Sequence, residues 1–288
     1  MIAGMGGGGT AVEWLAPSSL EEALALRAER GAATTVVAGG SFLAILLNQG
    51  FVRPSSLLSL GRIDELRGIT TSDGELRLGA MVSHRQVERD PVINRDWPVL
   101  ARAFGLVASP RVRNQATVGG VLADADYASD PPAVLCAVNA RAVLRSPRGE
   151  RQVPIDELIV GFYETCIAED ELLTEVRVPA PRGPAVYRKF RSRSREDRPC
   201  VAVAAARDGE QRLRVVVGAC AEVPQHYPDL CPEGPVDAAL AREIGARYAE
   251  RMSPLSDSRG SAEYRRRVVA VEVRRAVEEL TSPSGGEE

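Results

Sequence analysis

Two pairs of adjacent glycines mark where the backbone of this chain could do chemistry. The first lies in Val36-Val37-Ala38-Gly39-Gly40-Ser41-Phe42-Leu43, and the second, about 80 residues on, in Thr117-Val118-Gly119-Gly120, followed by Val121. Each has a β-branched or apolar lead-in running into a Gly-Gly turn, and adjacent glycines let backbone amides crowd around a guest that leaves no room for a Cβ. The guest that clustered amides suit is an anion. Around the first pair the grammar is strand, turn, helix: residues 34–38 are β-prone, and 42–49 form a helix-length apolar segment stopped by Gly50. Ser41 is then a natural N-cap, and a helix N-terminus behind a glycine turn offers unpaired N–H groups to a phosphate. Either pair alone reads as a tight turn between buried elements; two, each in a wider context of its own, point to a ligand.

Those turns need elements to hold them. Order is expected from a strand at 12–15, then a helix reaching Arg30, opened by a Ser19/Glu22 capping box and stopped by Gly31. Strand 34–38, its helix and a strand at 57–60 close a small α/β unit. From Ile63 the pattern changes to strand pairs, 66–70 and 75–79, around Ser72-Asp73-Gly74, a strong hairpin cue. Helices follow at 85–89 and 99–104, then the second glycine turn and a helix over 131–139 opened by prolines. A hairpin at 141–144 and 149–153 and a strand at 171–178 complete a second α/β unit. Pro179-Ala180-Pro181-Arg182-Gly183-Pro184 is the clearest linker. Beyond it, strands at 187–191, 201–207 and 213–217, with a turn at Asp208-Gly209, suggest a small antiparallel sheet. Helices at 236–252 and after Gly260 finish the chain, the last with Tyr264, Val268 and Val271 at helical spacing. The expected organisation is a flexible tail over 1–10, units over 11–60 and 61–179, a C-terminal domain over 185–280 and a tail over 281–288.

Composition narrows the function classes. A chain of 288 residues suits two or three domains, and a net charge of −3 with no strongly basic half argues against nucleic-acid binding. The densest basic run, 188–198, also holds Glu196 and Asp197 and reads as a solvated loop or strand edge. No run reaches the roughly 18–20 apolar residues of a membrane span, and no signal peptide opens the chain, so a cytoplasmic protein is expected. Five scattered cysteines form neither a disulfide framework nor a metal cluster, and His84 and His226 lack a second ligand at metal spacing, so no metal site is expected. Gly4-Met5-Gly6-Gly7-Gly8-Gly9 fits a Gly-x-Gly-x-x-Gly pattern, but no strand precedes it, so it carries no dinucleotide-binding meaning.

The wider context of the glycines carries a resemblance. Arg113-Asn114-Gln115-Ala116-Thr117-Val118-Gly119-Gly120 followed by Ala128-Ser129-Asp130-Pro131-Pro132 resembles the second flavin signature of the FAD-binding medium subunits of molybdenum hydroxylases, the family of xanthine and carbon monoxide dehydrogenases. Glu171-Leu172-Leu173-Thr174-Glu175-Val176-Arg177-Val178-Pro179, Tyr187-Arg188-Lys189-Phe190 and Asp257-Ser258-Arg259-Gly260-Ser261-Ala262-Glu263-Tyr264-Arg265-Arg266 follow in the family's order. The resemblance implies an α+β chain of α/β subdomains: a two-part FAD-binding domain of the vanillyl-alcohol-oxidase/PCMH type, then an α+β domain with a small antiparallel sheet and helices.

It also implies a site. Val36, Val37, Ala38, Gly39, Gly40, Ser41, Phe42 and Leu43 from one side, and Thr117, Val118, Gly119, Gly120 and Val121 from the other, would line the FAD pyrophosphate, chiefly through backbone N–H groups. Asp130 would accept from flavin-nucleotide hydroxyls, Val107 and Leu173 would supply apolar or main-chain contacts, and Lys189 would approach the polar side of the ring system. On residue chemistry alone, Asp130 before two prolines is equally an N-cap, Lys189 a solvent-facing charge, and Val107 and Leu173 core. The chain departs from the family pattern at Val121, Tyr127 and Phe42, where the family favours Asn or Asp, proline and a shorter polar residue. The implied function is electron transfer: substrate is hydroxylated at a molybdopterin cofactor on a large subunit, two [2Fe–2S] clusters on a small subunit relay electrons, and FAD delivers them to NAD, a quinone or oxygen. No side chain here need act as acid, base or nucleophile, and a dimer of heterotrimers is implied. A self-contained flavoprotein oxidoreductase and a flavin-free scaffold subunit are the alternatives.

Overall fold

The computed structural model describes residues 12–194, 196–208 and 212–282. The expected tail over 1–10, Gly209 of the Asp208-Gly209 turn, and positions 283–288 lie outside the described residues. Thr281, assigned by sequence to a tail, is instead the last residue of a helix, Ala262–Thr281.

The chain is α+β, built on three principal sheets. The first has three parallel strands in the order Glu13–Leu15, Ser56–Ser59, Thr34–Val37, with the helices Leu20–Arg30 and Leu43–Asn48 as its crossovers. Ser19 accepts from the Glu22 N–H, but the Glu22 carboxylate answers Ser18 rather than Ser19, so the expected capping box closes one residue early. Leu66, expected in a strand, lies in a short 3₁₀ turn, Asp64–Arg67. The turn lets Ile63 and Leu66 both enter a small core with Leu20, Ala23 and Leu60, and the strand begins only at Ile69.

The second sheet has five strands with antiparallel neighbours, in the order Ile69–Ser72, Glu75–Gly79, Leu172–Val178, Arg141–Ser146, Gly149–Pro154. Asp73 and Gly74, with φ of 53° and 77°, form the two-residue left-handed turn that a tight hairpin requires. Between Gly79 and Arg141 the chain makes six short helices, ending with Pro131–Ala137, every residue of which is buried.

The third sheet is antiparallel, in the order Ala185–Phe190, Val201–Arg207, Leu213–Gly218, Gln225–His226. Strand Val201–Arg207 is buried on both faces. Ala202, Ala204 and Ala206 join the core that holds helix Pro131–Ala137, whereas Val201, Val203 and Ala205 pack with the helices Ala238–Arg251 and Ala262–Thr281. This double burial explains a strand that reads as a continuous apolar run rather than an alternating one. It also fixes the C-terminal sheet against the start of helix Pro131–Ala137, where Asp130 stands.

The last helix turns a different face inward from the one its apolar spacing suggests. Tyr264 and Val271 are exposed, and the buried stripe is Arg265, Val268, Val269, Glu272, Val273, Ala276, Val277 and Leu280. Its close crossing with Ala238–Arg251 depends on Gly245, where a Cβ would come 2.3 Å from the Ala270 carbonyl oxygen. Gly245→Ala is therefore expected to destabilise the fold by about 1–3 kcal/mol despite alanine's better helix propensity, read as a lowered urea midpoint. An unchanged or raised midpoint would show that the two helices part without cost. Among the described residues, no helix is long and apolar enough to cross a membrane.

Candidate cofactor site

The fold brings the two glycine motifs into contact. A Cβ on Gly39 would sit 1.8 Å from the Gln115 carbonyl oxygen, and one on Gly120 would lie 3.6 Å from the Cβ of Ala38. Their amides differ. Among the described residues, no group of the chain accepts from the backbone N–H of Gly39, Gly40, Ser41 or Phe42. Gly40, at φ 68°, takes the left-handed turn that leads into helix Leu43–Asn48, and its carbonyl accepts from Ala44. Ser41 is not the cap: Phe42 holds that position in helical conformation with no side-chain cap bond.

The second motif has no such vacant donors at its glycines. Thr117 caps a helix, Val118–Ala123, so Gly119 and Gly120 lie in its first turn rather than in a Gly-Gly turn. Val118 donates to Val82, Gly119 to Ala80, Gly120 to the Thr117 hydroxyl and Val121 to the Thr117 carbonyl, all within 3.1 Å. These glycines serve packing: a Cβ on Gly119 would lie 2.6 Å from that of Ala80. The expectation that both motifs present amides alike is corrected. One offers free donors and the other forms a close-packed floor.

Both open on one cleft of 1090 Å³. Val36, Ala38, Gly39, Gly40, Ser41, Phe42 and Leu43 line it from the three-stranded parallel sheet and the turn that follows it, and Val107, Thr117, Gly119, Gly120, Val121, Asp130 and Leu173 from the five-stranded sheet and its helices and loops. Lys189 reaches it from the C-terminal sheet. Val37 and Val118 are not on its wall: Val37 pairs with Ser59 inside the sheet and Val118 is fully buried in the core. A second cleft of 980 Å³, between the proline linker and the C-terminal sheet, holds none of the sequence-derived site residues.

Lys189 is not solvent-facing. Its side chain is 1% exposed, and Nζ donates to Asp130 Oδ2 and to the Leu106 carbonyl, each at 2.9 Å. Asp130 sits at the head of helix Pro131–Ala137 but caps nothing; its other oxygen accepts from the Tyr187 hydroxyl at 2.6 Å. Burial raises the Asp130 carboxyl and lowers the Lys189 amine, while their mutual attraction opposes both shifts. Tyr187 was missed from sequence, although it stands two residues before Lys189 and so shares its face of the strand. Two neighbouring arginines tie elements together, Arg188 bridging Glu272 and Glu279 and Arg198 meeting Asp126, while residues 192–194 and 196 of the basic run are exposed, as a solvated loop would be.

Two of the three departures have clear places. Phe42 stacks on Tyr163 at 5.9 Å between centroids, with Arg198 over its ring. Tyr127 donates to Asp257 and accepts from Arg259, joining the loop before helix Pro131–Ala137 to the loop before helix Ala262–Thr281. Burial alone would raise the Asp257 carboxyl, but the Arg259 N–H, the Tyr127 hydroxyl and the Arg259 guanidinium outweigh it and hold the group well below the usual carboxylate range. Asp257→Asn is expected to cost about 1–3 kcal/mol at neutral pH. Because the folded-state carboxyl is depressed, that contribution is present above the unfolded value near 3.9 and fades as pH falls below it. Urea midpoints of the two proteins should converge at acid pH; a constant gap would contradict the assignment.

His84 belongs to the frame beneath the second motif. It is buried edge-on to Phe104, its Nε2 lies 3.2 Å from the Thr117 carbonyl oxygen, and burial lowers it to about 4, so it is neutral at physiological pH. With Thr117 as acceptor, Nε2 carries the proton.

This geometry has close counterparts. Residues 10–181 match the family described as "FAD binding domain in molybdopterin dehydrogenase", and 185–280 the "CO dehydrogenase flavoprotein C-terminal domain". The chain belongs to the FAD-binding medium subunits of the molybdenum hydroxylase family. As such it is an oxidoreductase component. This medium subunit is 32% identical to the nicotine 6-hydroxylase medium subunit of Paenarthrobacter nicotinovorans, over 93% of this chain and 97% of that one. It is 39% identical to the carbon monoxide dehydrogenase medium chain of Hydrogenophaga pseudoflava over 168 residues, a stretch that spans 58% of each protein. A chain of quinoline 2-oxidoreductase from Pseudomonas putida 86 superposes with a TM-score of 0.88 at 29% identity, covering 94% of the medium subunit and 97% of that chain.

Proposed function

We propose that this medium subunit holds FAD across the cleft and passes electrons from the [2Fe–2S] clusters of a small partner subunit to an external acceptor. The observation that carries the reading is the set of four backbone N–H groups, Gly39 to Phe42, left without partners on the wall of a cleft large enough for a dinucleotide. They are the donors for the pyrophosphate, in a loop whose close approach to Gln115 only glycine permits. Thr117 to Val121 pack behind them as a floor. Val36, Ala38, Leu43, Val107, Val121 and Leu173 give the walls, with Val37 and Val118 setting the two motifs from behind. Lys189 has one ammonium proton beyond the two it gives to Asp130 and Leu106, and so can place a cation beside an electron-rich ring. Asp130 acts through Lys189, which it orients with the help of Tyr187.

Bound there, FAD supplies redox chemistry that no side chain can, accepting electrons singly and releasing them as a pair. The protein contributes position and electrostatics. The units over 11–60, 61–179 and 185–280 act as its three domains, in the cytoplasm. The chain joins a large molybdopterin-binding subunit and a small two-cluster [2Fe–2S] subunit, as a dimer of heterotrimers. The visible spectrum of the purified chain tests the flavin reading, with the released cofactor identified by chromatography. Near-stoichiometric FAD is expected, and a folded chain that takes up no flavin from excess FAD would overturn it. Co-purification of both partner subunits tests the relay, and isolation as a self-sufficient oxidase would contradict it.

A further inference from the structure

Among the described residues, Asp124 is a partly buried carboxylate on the cleft that no donor of the chain answers; Glu196, the other cleft acid without a partner, is exposed to solvent. Asp124 ends the helix Val118–Ala123, its own N–H turned back to the carbonyls of Gly120 and Leu122, and its side chain lines the cleft. The other buried acids nearby are engaged. Asp126 takes Arg198 at 2.6 Å and the Ala128 N–H at 3.1 Å, and Asp130 takes Tyr187 and Lys189. No donor among the described residues bonds to the Asp124 carboxylate; its surroundings act on it through burial, the like charge of Asp126 and the opposing charge of Arg198, which Asp126 holds.

The remaining titratable groups on the cleft do not supply a counter-charge. Glu196 and Tyr163, also on the cleft, bring no cation. Arg27 is a cation on the cleft, but it donates to the Gly31 and Thr34 carbonyls and its charge is drawn to Glu169 and Asp170; His84 is neutral, and Glu171 is held by Arg151. Burial first, and Asp126 second, push the Asp124 carboxyl up to about 7, so the site without a ligand is poised between its two charge states. A pyrophosphate brought to the free amides of Gly39 to Phe42 adds negative charge to the same cleft and favours the protonated state further.

We propose that Asp124 is protonated when FAD fills the cleft, so that binding takes one proton from solvent and leaves an un-ionised carboxyl on the wall as a hydrogen-bond donor. This rests on the reading of the cleft as the FAD site. The sign follows. A group whose proton affinity rises on binding makes binding tighter below its free value and weaker as pH climbs from about 7 towards its bound value.

The test is calorimetric titration of the flavin-stripped full chain with FAD at pH 7.5 in two buffers of different ionisation enthalpy, with dissociation constants measured from pH 6 to 9. Wild type should take up about half a proton or more, and its affinity should fall roughly tenfold across that range for each unit by which binding raises the carboxyl. Asp124→Asn, a neutral donor of the same shape, should take up no proton and bind with flat pH dependence near the wild-type acid limit. Asp124→Ser gives a second uncharged donor, for which the same flat profile is expected. Proton uptake undiminished in both variants, or none in wild type, would overturn the proposal. FAD binding by no variant at any pH would overturn the flavin reading itself, a distinct result.

Discussion

Gly39→Ala is expected to weaken FAD binding by about 100-fold or more while leaving a folded chain. The added Cβ would stand 1.8 Å from the Gln115 carbonyl oxygen and 2.7 Å from its carbon, so the backbone must retreat. Retreat displaces the unpartnered amides of Gly39 to Phe42. Two charge-assisted hydrogen bonds lost, at ~1.5–2 kcal/mol each, account for that factor. Gly40→Ala is the informative contrast: its Cβ would meet nothing closer than a Val37 methyl at 3.8 Å, and only the left-handed φ of 68° is strained. It should cost about 1–2 kcal/mol in loop conformation and a correspondingly small part of the affinity. Fluorescence titration of FAD against both variants decides the matter. Equal effects at the two positions would mean that the approach to Gln115 is not what aims the amides.

Lys189→Ala should be among the most destabilising single changes in the chain, at about 3–5 kcal/mol, because it strands the Asp130 carboxylate in a site where its side chain is 4% exposed. Tyr187 alone would then answer it. Without the ammonium, burial keeps the Asp130 carboxyl above its unfolded value, so in the variant the ionised form is penalised and stability falls as pH rises through the acid range. The gap to wild type should narrow on going from pH 7 to pH 5, and Asp130→Asn in the same chain should recover part of the loss. Urea midpoints at the two pH values read both effects. A loss below ~1 kcal/mol, independent of pH, would show that the pair is solvated and not the buried strut described here.

What the sequence made legible was local. The Asp73-Gly74 hairpin, the helix stopped by Gly50, the proline linker and the antiparallel C-terminal sheet each follow from backbone preferences within a few residues. The errors lie where a partner is far along the chain. The amides of Gly119 and Val118 look as free as those of Gly39 until Ala80 and Val82 are placed beneath them. Lys189 reads as a surface charge until Asp130, 59 residues away, is brought under it. In the last helix, Val268 fits two apolar stripes. The one that buries Arg265 is chosen because Asp257 and the Ala219 carbonyl receive its guanidinium, which no hydrophobic pattern can announce.

The central claim is that four free amides in one loop, and not the second glycine pair, receive the cofactor's pyrophosphate. The direct measurement is a ¹⁵N–¹H correlation spectrum of the labelled, flavin-stripped chain, titrated with FAD. The N–H resonances of Gly39, Gly40, Ser41 and Phe42 should move furthest downfield as each gains a charged acceptor. Those of Gly119, Gly120 and Val121, already bonded within the chain, should move less. Saturable FAD binding that left the first four unmoved, or that shifted the second set more, would contradict the account.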